Sequence, residues 1–152
     1  MLRERLTPDR IRFAADVESW QQAIDLVSAP LVDDGSITPD YVEAMTTAVA
    51  APGGTYIDLG SGVALAHARP EAGVVRPALS YLRVRPAVLL ADDPAHPIDL
   101  FLCLAASDSS EHIQTMQELA VLLTDEDARA GLLDATTPAD VTSVLSQIGQ
   151  NA

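Results

Sequence analysis

Apolar positions recur with a helical period in the first third of the chain and shorten to strand-like runs in its middle. Trp20, Ala23, Ile24, Val27 and Leu31 fall at i, i+3, i+4, i+7 and i+11, one face of a helix that runs out near Asp33-Asp34-Gly35. A second helix is predicted from Pro39, a residue suited to a first turn, with Tyr41, Met45 and Val49 as its stripe before Pro52-Gly53-Gly54 breaks it. Tyr56 to Leu59 and Val63 to Ala66 read as short strands joined in a hairpin by Gly60-Ser61-Gly62. Ala78 to Arg85 reads as another strand, with Arg83 and Arg85 on a partly solvated face. The stretch Pro86 to Pro97, rich in Pro and Asp, is predicted to be a loop, and His96 within it to be exposed and inert. Ile98 to Ala106 is apolar almost throughout, the pattern of a central strand covered on both faces.

A helix follows, capped by Asp108, Ser109 or Ser110, with Ile113, Met116, Ala120 and Leu123 as its predicted buried stripe. Two more are predicted, from Asp125 to about Leu133 and from Thr137 or Pro138 to about Ile148, the latter with Val141, Val144, Leu145 and Ile148 inward. Alternating helices and strands without internal repeats predict one α/β domain over residues 1–152, a three-layer α/β/α sandwich.

Composition narrows the function classes. With 152 residues, 48% of them hydrophobic, the chain can bury one core. No run approaches the roughly 20 apolar residues of a membrane-spanning helix. Met1-Leu2-Arg3-Glu4-Arg5 is not followed by an apolar secretory segment, so a cytoplasmic location is expected. The one cysteine, Cys103, lies in an apolar run and is read as a small core residue. Acidic residues number 22 against nine basic ones, all Arg, for a formal net charge of −13. That balance disfavours nucleic-acid binding, because a phosphate backbone needs a basic footprint. It suits either basic faces on protein partners or solubility alone. A chain without lysine and without a Gly-rich phosphate loop is not read as a direct user of nucleoside triphosphates.

The candidate chemistry lies in Gly62-Val63-Ala64-Leu65-Ala66-His67-Ala68-Arg69-Pro70-Glu71, where an apolar run delivers an imidazole, a guanidinium and a carboxylate together. Histidine is partly neutral near neutral pH and can act as nucleophile, base or acid. Placed just past the end of a buried strand, it stands where ligands meet α/β proteins; the alternative is an ordinary loop histidine. Arg69 has a planar fork suited to a phosphoryl group, or else it solvates the strand end or pairs with Glu71. His112 falls in the first turn of a predicted helix, whose unpaired N–H groups and positive dipole end stabilise an anion by about 0.3–1 kcal/mol. Its alternative role is a solvated first-turn residue.

These stretches carry a resemblance. The run into His67, Arg69-Pro70-Glu71-Ala72-Gly73-Val74, and Pro97-Ile98-Asp99-Leu100-Phe101-Leu102-Cys103-Leu104-Ala105-Ala106 leading to Asp108 and His112 resemble the enzyme IIA components of the bacterial sugar phosphotransferase system. Ser19-Trp20-Gln21-Gln22-Ala23 and Tyr41-Val42-Glu43-Ala44-Met45 support it. The class is mannitol/fructose, and within it the ascorbate branch. The resemblance implies a small mixed β-sheet between helices and a phosphocarrier without metal or cofactor. His67 would accept a phosphoryl group from the phosphorylated histidine-containing phosphocarrier protein. It would pass the group to a cysteine of enzyme IIB, and so indirectly serve the membrane permease enzyme IIC in uptake of ascorbate or a related sugar. His112 would stabilise the phosphoryl group, with Arg69 and Ser110 binding it.

Two positions depart from the family pattern. Thr46-Thr47-Ala48-Val49 lacks the arginine that assists the site in the mannitol branch, and Arg69 is the available substitute. Ala66 stands where the family usually places a proline before the active histidine. Two other readings attach to the same resemblance: a regulatory enzyme IIA that signals by phosphorylation-dependent protein binding, and a non-catalytic binding module whose site has decayed.

Overall fold

The computed structural model describes residues 2–151, with side chains described as far as residue 147, so the inward placement predicted for Ile148 lies outside the described residues. Five strands form one mixed sheet: β1 (Ile11–Ala15), β2 (Asp58–Gly60), β3 (Val63–Ala66), β4 (Ala78–Leu89) and β5 (Pro97–Ala105). Their order is β1-β4-β5-β3-β2. β1 runs parallel to β4 and β3 parallel to β5, while β4 with β5 and β2 with β3 are antiparallel. One face is covered by α2 (Trp20–Asp33) and α3 (Pro39–Ala50). The short α1 (Leu2–Arg5) and helices α4 (Ser109–Thr124), α5 (Glu126–Asp134) and α6 (Pro138–Asn151) cover the other. This is the predicted three-layer sandwich.

β5 is the axis of the core because both its faces are buried. Phe101, Cys103 and Ala105 point toward α2 and α3, whereas Leu100, Leu102 and Leu104 point toward α4–α6. The amides of Asp99 and Leu100 both bond to the Gly62 carbonyl, at 2.8 and 3.0 Å, so the strand carries a bulge there. The bulge resets the alternation, and Ile98 faces the same side as Phe101. β3 alternates in step: Val63 and Leu65 face the α4–α6 layer, Ala64 and Ala66 the α2–α3 layer. Ala66, in place of a proline, continues β3 in register with Cys103.

Helix boundaries follow their capping chemistry. The Ser19 hydroxyl accepts from the Gln22 amide at 3.1 Å and the Gln22 side chain accepts from the Glu18 amide at 2.7 Å, fixing the start of α2. Asp108 and Asp125 cap α4 and α5 in the same way, at 2.8 and 2.9 Å.

Four expectations are corrected. The first hairpin strand begins at Asp58 instead of Tyr56, because Gly54–Ile57 turns as a 3-10 helix. β4 does not stop at Arg85: it passes through a cis Arg85–Pro86 bond and rejoins β5 at Val88, so the Pro- and Asp-rich loop is short. His96 is neither fully exposed nor without a partner; its Nδ1 lies 2.8 Å from the Asp58 carboxylate. In α4 the buried face is Thr115, Leu119 and Leu122, while Ile113 is 55% exposed. Two overlapping apolar stripes run along that helix, and packing selects the one that leaves the His112–Ile113 side open.

One polar node holds the segment behind His67. Asp34 accepts from Arg10 Nε and Nη2 at 3.0 and 2.9 Å, and from the Ser36 amide and hydroxyl at 3.0 and 2.5 Å. The Ser36 carbonyl in turn accepts from the Val75 and Arg76 amides. Burial pushes the Asp34 carboxyl up, but the Ser36 and Arg10 hydrogen bonds outweigh it and hold the group below the ordinary value of 3.8. A depressed carboxyl stabilises the fold above its unfolded pKa and loses that contribution as pH falls through the folded one. Asp34→Asn should therefore lower the unfolding free energy at pH 7 by about 1.5–3 kcal/mol, the worth of hydrogen bonds to a charged group. Urea titrations at pH 7 and below pH 4 check this: the gap from the native protein should narrow in acid.

Candidate active site

The parallel pairing of β3 with β5 brings two chain segments out of the sheet at the same end. One is the turn carrying His67, just past Ala66; the other leads through Ala106 to the N-terminus of α4 and His112. His67 continues the parity of Val63 and Leu65, which face the α4 layer, so its ring meets that of His112. The ring centroids are 5.6 Å apart, tilted by 43°.

His67 is half-buried and locally oriented. Its Nδ1 lies 2.9 Å from the Leu65 carbonyl, and a carbonyl only accepts, so Nδ1 bears a proton. In the neutral ring Nε2 is then the nitrogen with a free lone pair. Tyr56, 57% exposed, packs edge-on against the imidazole at 5.6 Å and 89°. The ring of His112 also lies against it, and the His112 amide bonds to the Asp108 carbonyl at 3.0 Å in the first turn of α4. Partial burial pushes the His112 pKa down from 6.5, and the neighbouring His67 pushes it the same way.

A cleft of about 710 Å³ opens onto both rings. Arg69 and Pro70 form one wall, Asp108, Ser109 and Ile113 another, and Ala44 and Ala48 of α3 a third. The site residues predicted from sequence thus converge, with one exception. Ser110 is exposed and is not among the residues lining the cleft; Ser109 occupies that place. Arg69 is exposed on the cleft wall and, among the described residues, makes no ion pair with Glu71 or any other carboxylate. Thr46 and Thr47 turn away into a separate groove between α2 and α3, so α3 presents only small apolar side chains and Tyr41 to the cleft.

Two residues escape the sequence reading. Tyr56 belongs to a segment read as strand, and nothing in its spacing points to His67. Tyr41 is visible as part of a buried stripe, but its hydroxyl bonds to Leu104 and Ala68. The available signal is that a buried tyrosine hydroxyl needs a partner. The loop returns through Gly73, at φ 150°, where a Cβ would come within 2.1 Å of Thr38 Oγ1. That loop position therefore admits only glycine without a shift of α3.

Comparison with known proteins agrees with this architecture. Residues 4–148 match the family described as phosphoenolpyruvate-dependent sugar phosphotransferase system, EIIA 2. The mannitol-specific cryptic phosphotransferase enzyme IIA component of Escherichia coli K12 is 32% identical over 130 residues, covering 86% of this chain and 87% of that one. The ascorbate-specific EIIA component of the same strain is 29% identical over 128 residues, covering 83% and 82%. The solution structure of the E. coli mannitol-specific cryptic enzyme IIA superposes with a TM-score of 0.86 at 29% identity, over 96% of this chain and 98% of that one. The chain belongs to the EIIA 2 family of the sugar phosphotransferase system and is a phosphotransferase component of that class. Among the described residues no helix is long and apolar enough to cross a membrane.

The contact between the two rings makes a measurable statement. The His112 ring should titrate below 6.5 in a proton NMR titration, and in His67→Ala its midpoint should move upward as the neighbouring charge is removed. A His112 midpoint above 6.5, or one indifferent to His67→Ala, contradicts the geometry.

Proposed function

We propose that His67 is the phosphoryl acceptor of this chain and that Nε2 is the attacking atom. The observation that carries this reading is the Nδ1 contact with the Leu65 carbonyl, which leaves the Nε2 lone pair as the nucleophile. The phosphorus–nitrogen bond of the phosphorylated histidine-containing carrier protein breaks as the bond to Nε2 forms, and the carrier imidazole departs with its electron pair. In the second step a thiolate of enzyme IIB attacks the same phosphorus and His67 leaves as neutral imidazole. Such transfers depend on in-line positioning and on stabilising the charge of the phosphoryl oxygens.

Three features support charge stabilisation in the cleft. The N-terminus of α4 offers the positive end of its dipole, His112 offers a ring N–H, and Arg69 offers a guanidinium that makes no ion pair among the described residues. A His112 kept mostly neutral before transfer gains a reason to bind a proton once a dianionic group stands beside it. This two-histidine arrangement favours a working carrier over a decayed module. The reading extends to uptake of ascorbate or a related sugar through enzymes IIB and IIC, in a soluble cytoplasmic chain acting without metal or cofactor.

Incubation with phosphoenolpyruvate, enzyme I and the carrier protein should add one acid-labile, base-stable phosphoryl group, observed as phosphorus bonded to Nε2 by NMR. His67→Ala should take up none, and stoichiometric labelling of that variant would sink the assignment. His112→Ala should still be labelled but pass the group on roughly ten- to hundredfold more slowly, the worth of one charge-assisted hydrogen bond. Arg69→Ala should behave similarly if its guanidinium reaches the phosphoryl oxygens; unchanged rates in both directions return it to a solvated loop charge.

The sugar branch is tested at the next step. The phosphorylated protein should transfer faster to an enzyme IIB of an ascorbate system than to one of a mannitol system. The reverse preference assigns the chain to the mannitol branch.

A further inference from the structure

Tyr41 is fully buried on α3, yet its hydroxyl stands between the two segments that diverge at the site. The oxygen lies 2.7 Å from the Leu104 carbonyl, 3.0 Å from the Ala68 amide and 3.2 Å from the Ala68 carbonyl. A phenol has one proton, and the shortest contact assigns it to Leu104. The oxygen is then the acceptor for the Ala68 N–H. Burial pushes the phenol pKa above its ordinary value, outweighing the opposing effect of the Ala68 hydrogen bond, so the group stays a neutral donor.

The two partners are mechanically distinct. Ala68 directly follows His67, whereas Leu104 is near the end of β5, on the path to Asp108 and the first turn of α4. One oxygen therefore fixes the His67 turn against the strand that launches His112. The His67 contact with Leu65 spans only its own turn, and the Tyr41 hydroxyl adds a hold on the backbone at the next residue, Ala68.

We propose that Tyr41 is a positioning residue for phosphoryl transfer: its hydroxyl anchors Ala68, keeps His67 in the tautomer with Nδ1 protonated, and sets the imidazole against His112. This rests on His67 being the acceptor. Tyr41 lines the cleft, but at 0% exposure it does not reach the surface that a docked protein meets. Its removal should therefore lower kcat for transfer and leave KM for the carrier protein unchanged.

The test compares Tyr41→Phe with Tyr81→Phe. Tyr81 is an equally buried tyrosine whose hydroxyl donates to the Leu132 carbonyl on the opposite face of the sheet, away from the cleft. Two readouts are taken: phosphorylation kinetics with the phosphorylated carrier protein, and the nitrogen-15 imidazole spectrum of unphosphorylated protein, which reports the tautomer of His67. Tyr41→Phe should lower kcat roughly ten- to hundredfold, as misplaced reacting groups do, and mix the His67 tautomers. Tyr81→Phe should change neither. Wild-type kcat and tautomer in Tyr41→Phe, an equal loss in Tyr81→Phe, or a change in KM alone each overturns the proposal. Should Tyr41→Phe not fold, 3-fluorotyrosine at position 41 keeps the hydroxyl but weakens it as an acceptor, and should move both readouts in the same direction. A native protein that takes up no phosphoryl group overturns the acceptor reading itself; the imidazole spectrum then still decides whether Tyr41 orients His67.

Discussion

The parallel pairing of β3 with β5 is the constraint on which the rest of the molecule depends. With Ala66 beside Cys103, both strands end together, and whatever follows each is delivered to the same place. A four-residue strand is a weak element alone; burial on both faces between two apolar clusters holds it. An antiparallel neighbour would have sent the next segment to the opposite end of the sheet, and His67 would face no helix N-terminus.

Positive charge is used with similar economy. Arg83 and Arg85 reach from β4 to the carbonyls of Ala135 and Leu133 at the end of α5, and Arg129 reaches the Leu123 carbonyl near the end of α4. Arg83 also lies over the Phe13 ring, 5.1 Å from its centroid. These guanidiniums bond to carbonyls at helix C-termini, which have no partner further along their own helix. Arg10 is bound to Asp34, and Arg5 pairs with Glu111 at 3.1 Å. In a strongly acidic chain, this leaves Arg69 as the guanidinium placed on the cleft wall.

How much of this was legible in the sequence depends on which interactions decide each element. Helices α2 and α3 and the strands β3 and β5 were readable because burial sets their patterns directly. The two histidines were readable because their settings, a strand end and a helix start, are local. β1 was not announced: Ile11-Arg12-Phe13-Ala14-Ala15 is short, carries a charge, and is a strand only through pairing with β4. The last residues of β4 were hidden because proline reads as loop unless its neighbours supply the pairing. The His96–Asp58 contact and the Tyr41 hydroxyl bonds join residues far apart in the chain, and no spacing rule reaches across such distances. The face chosen by α4 was ambiguous because Ile113, Met116 and Leu123 mark one stripe while Leu119 and Leu122 mark the next, and only the sheet beneath decides between them.

The bulge at Asp99 and Leu100 gives the hairpin an asymmetry toward insertion and deletion. Both amides are fixed on the Gly62 carbonyl, so the count of residues from Gly62 to His67 sets which layer of the sandwich the imidazole enters. One residue added or lost within that span would turn His67 toward α3 and away from His112, with the sheet otherwise intact. On the other side of Gly62 the chain turns through exposed Ser61 into β2, and length changes in that turn leave the parity of β3 untouched. Drift in loop length is thus tolerated up to one glycine and forbidden for the next five positions.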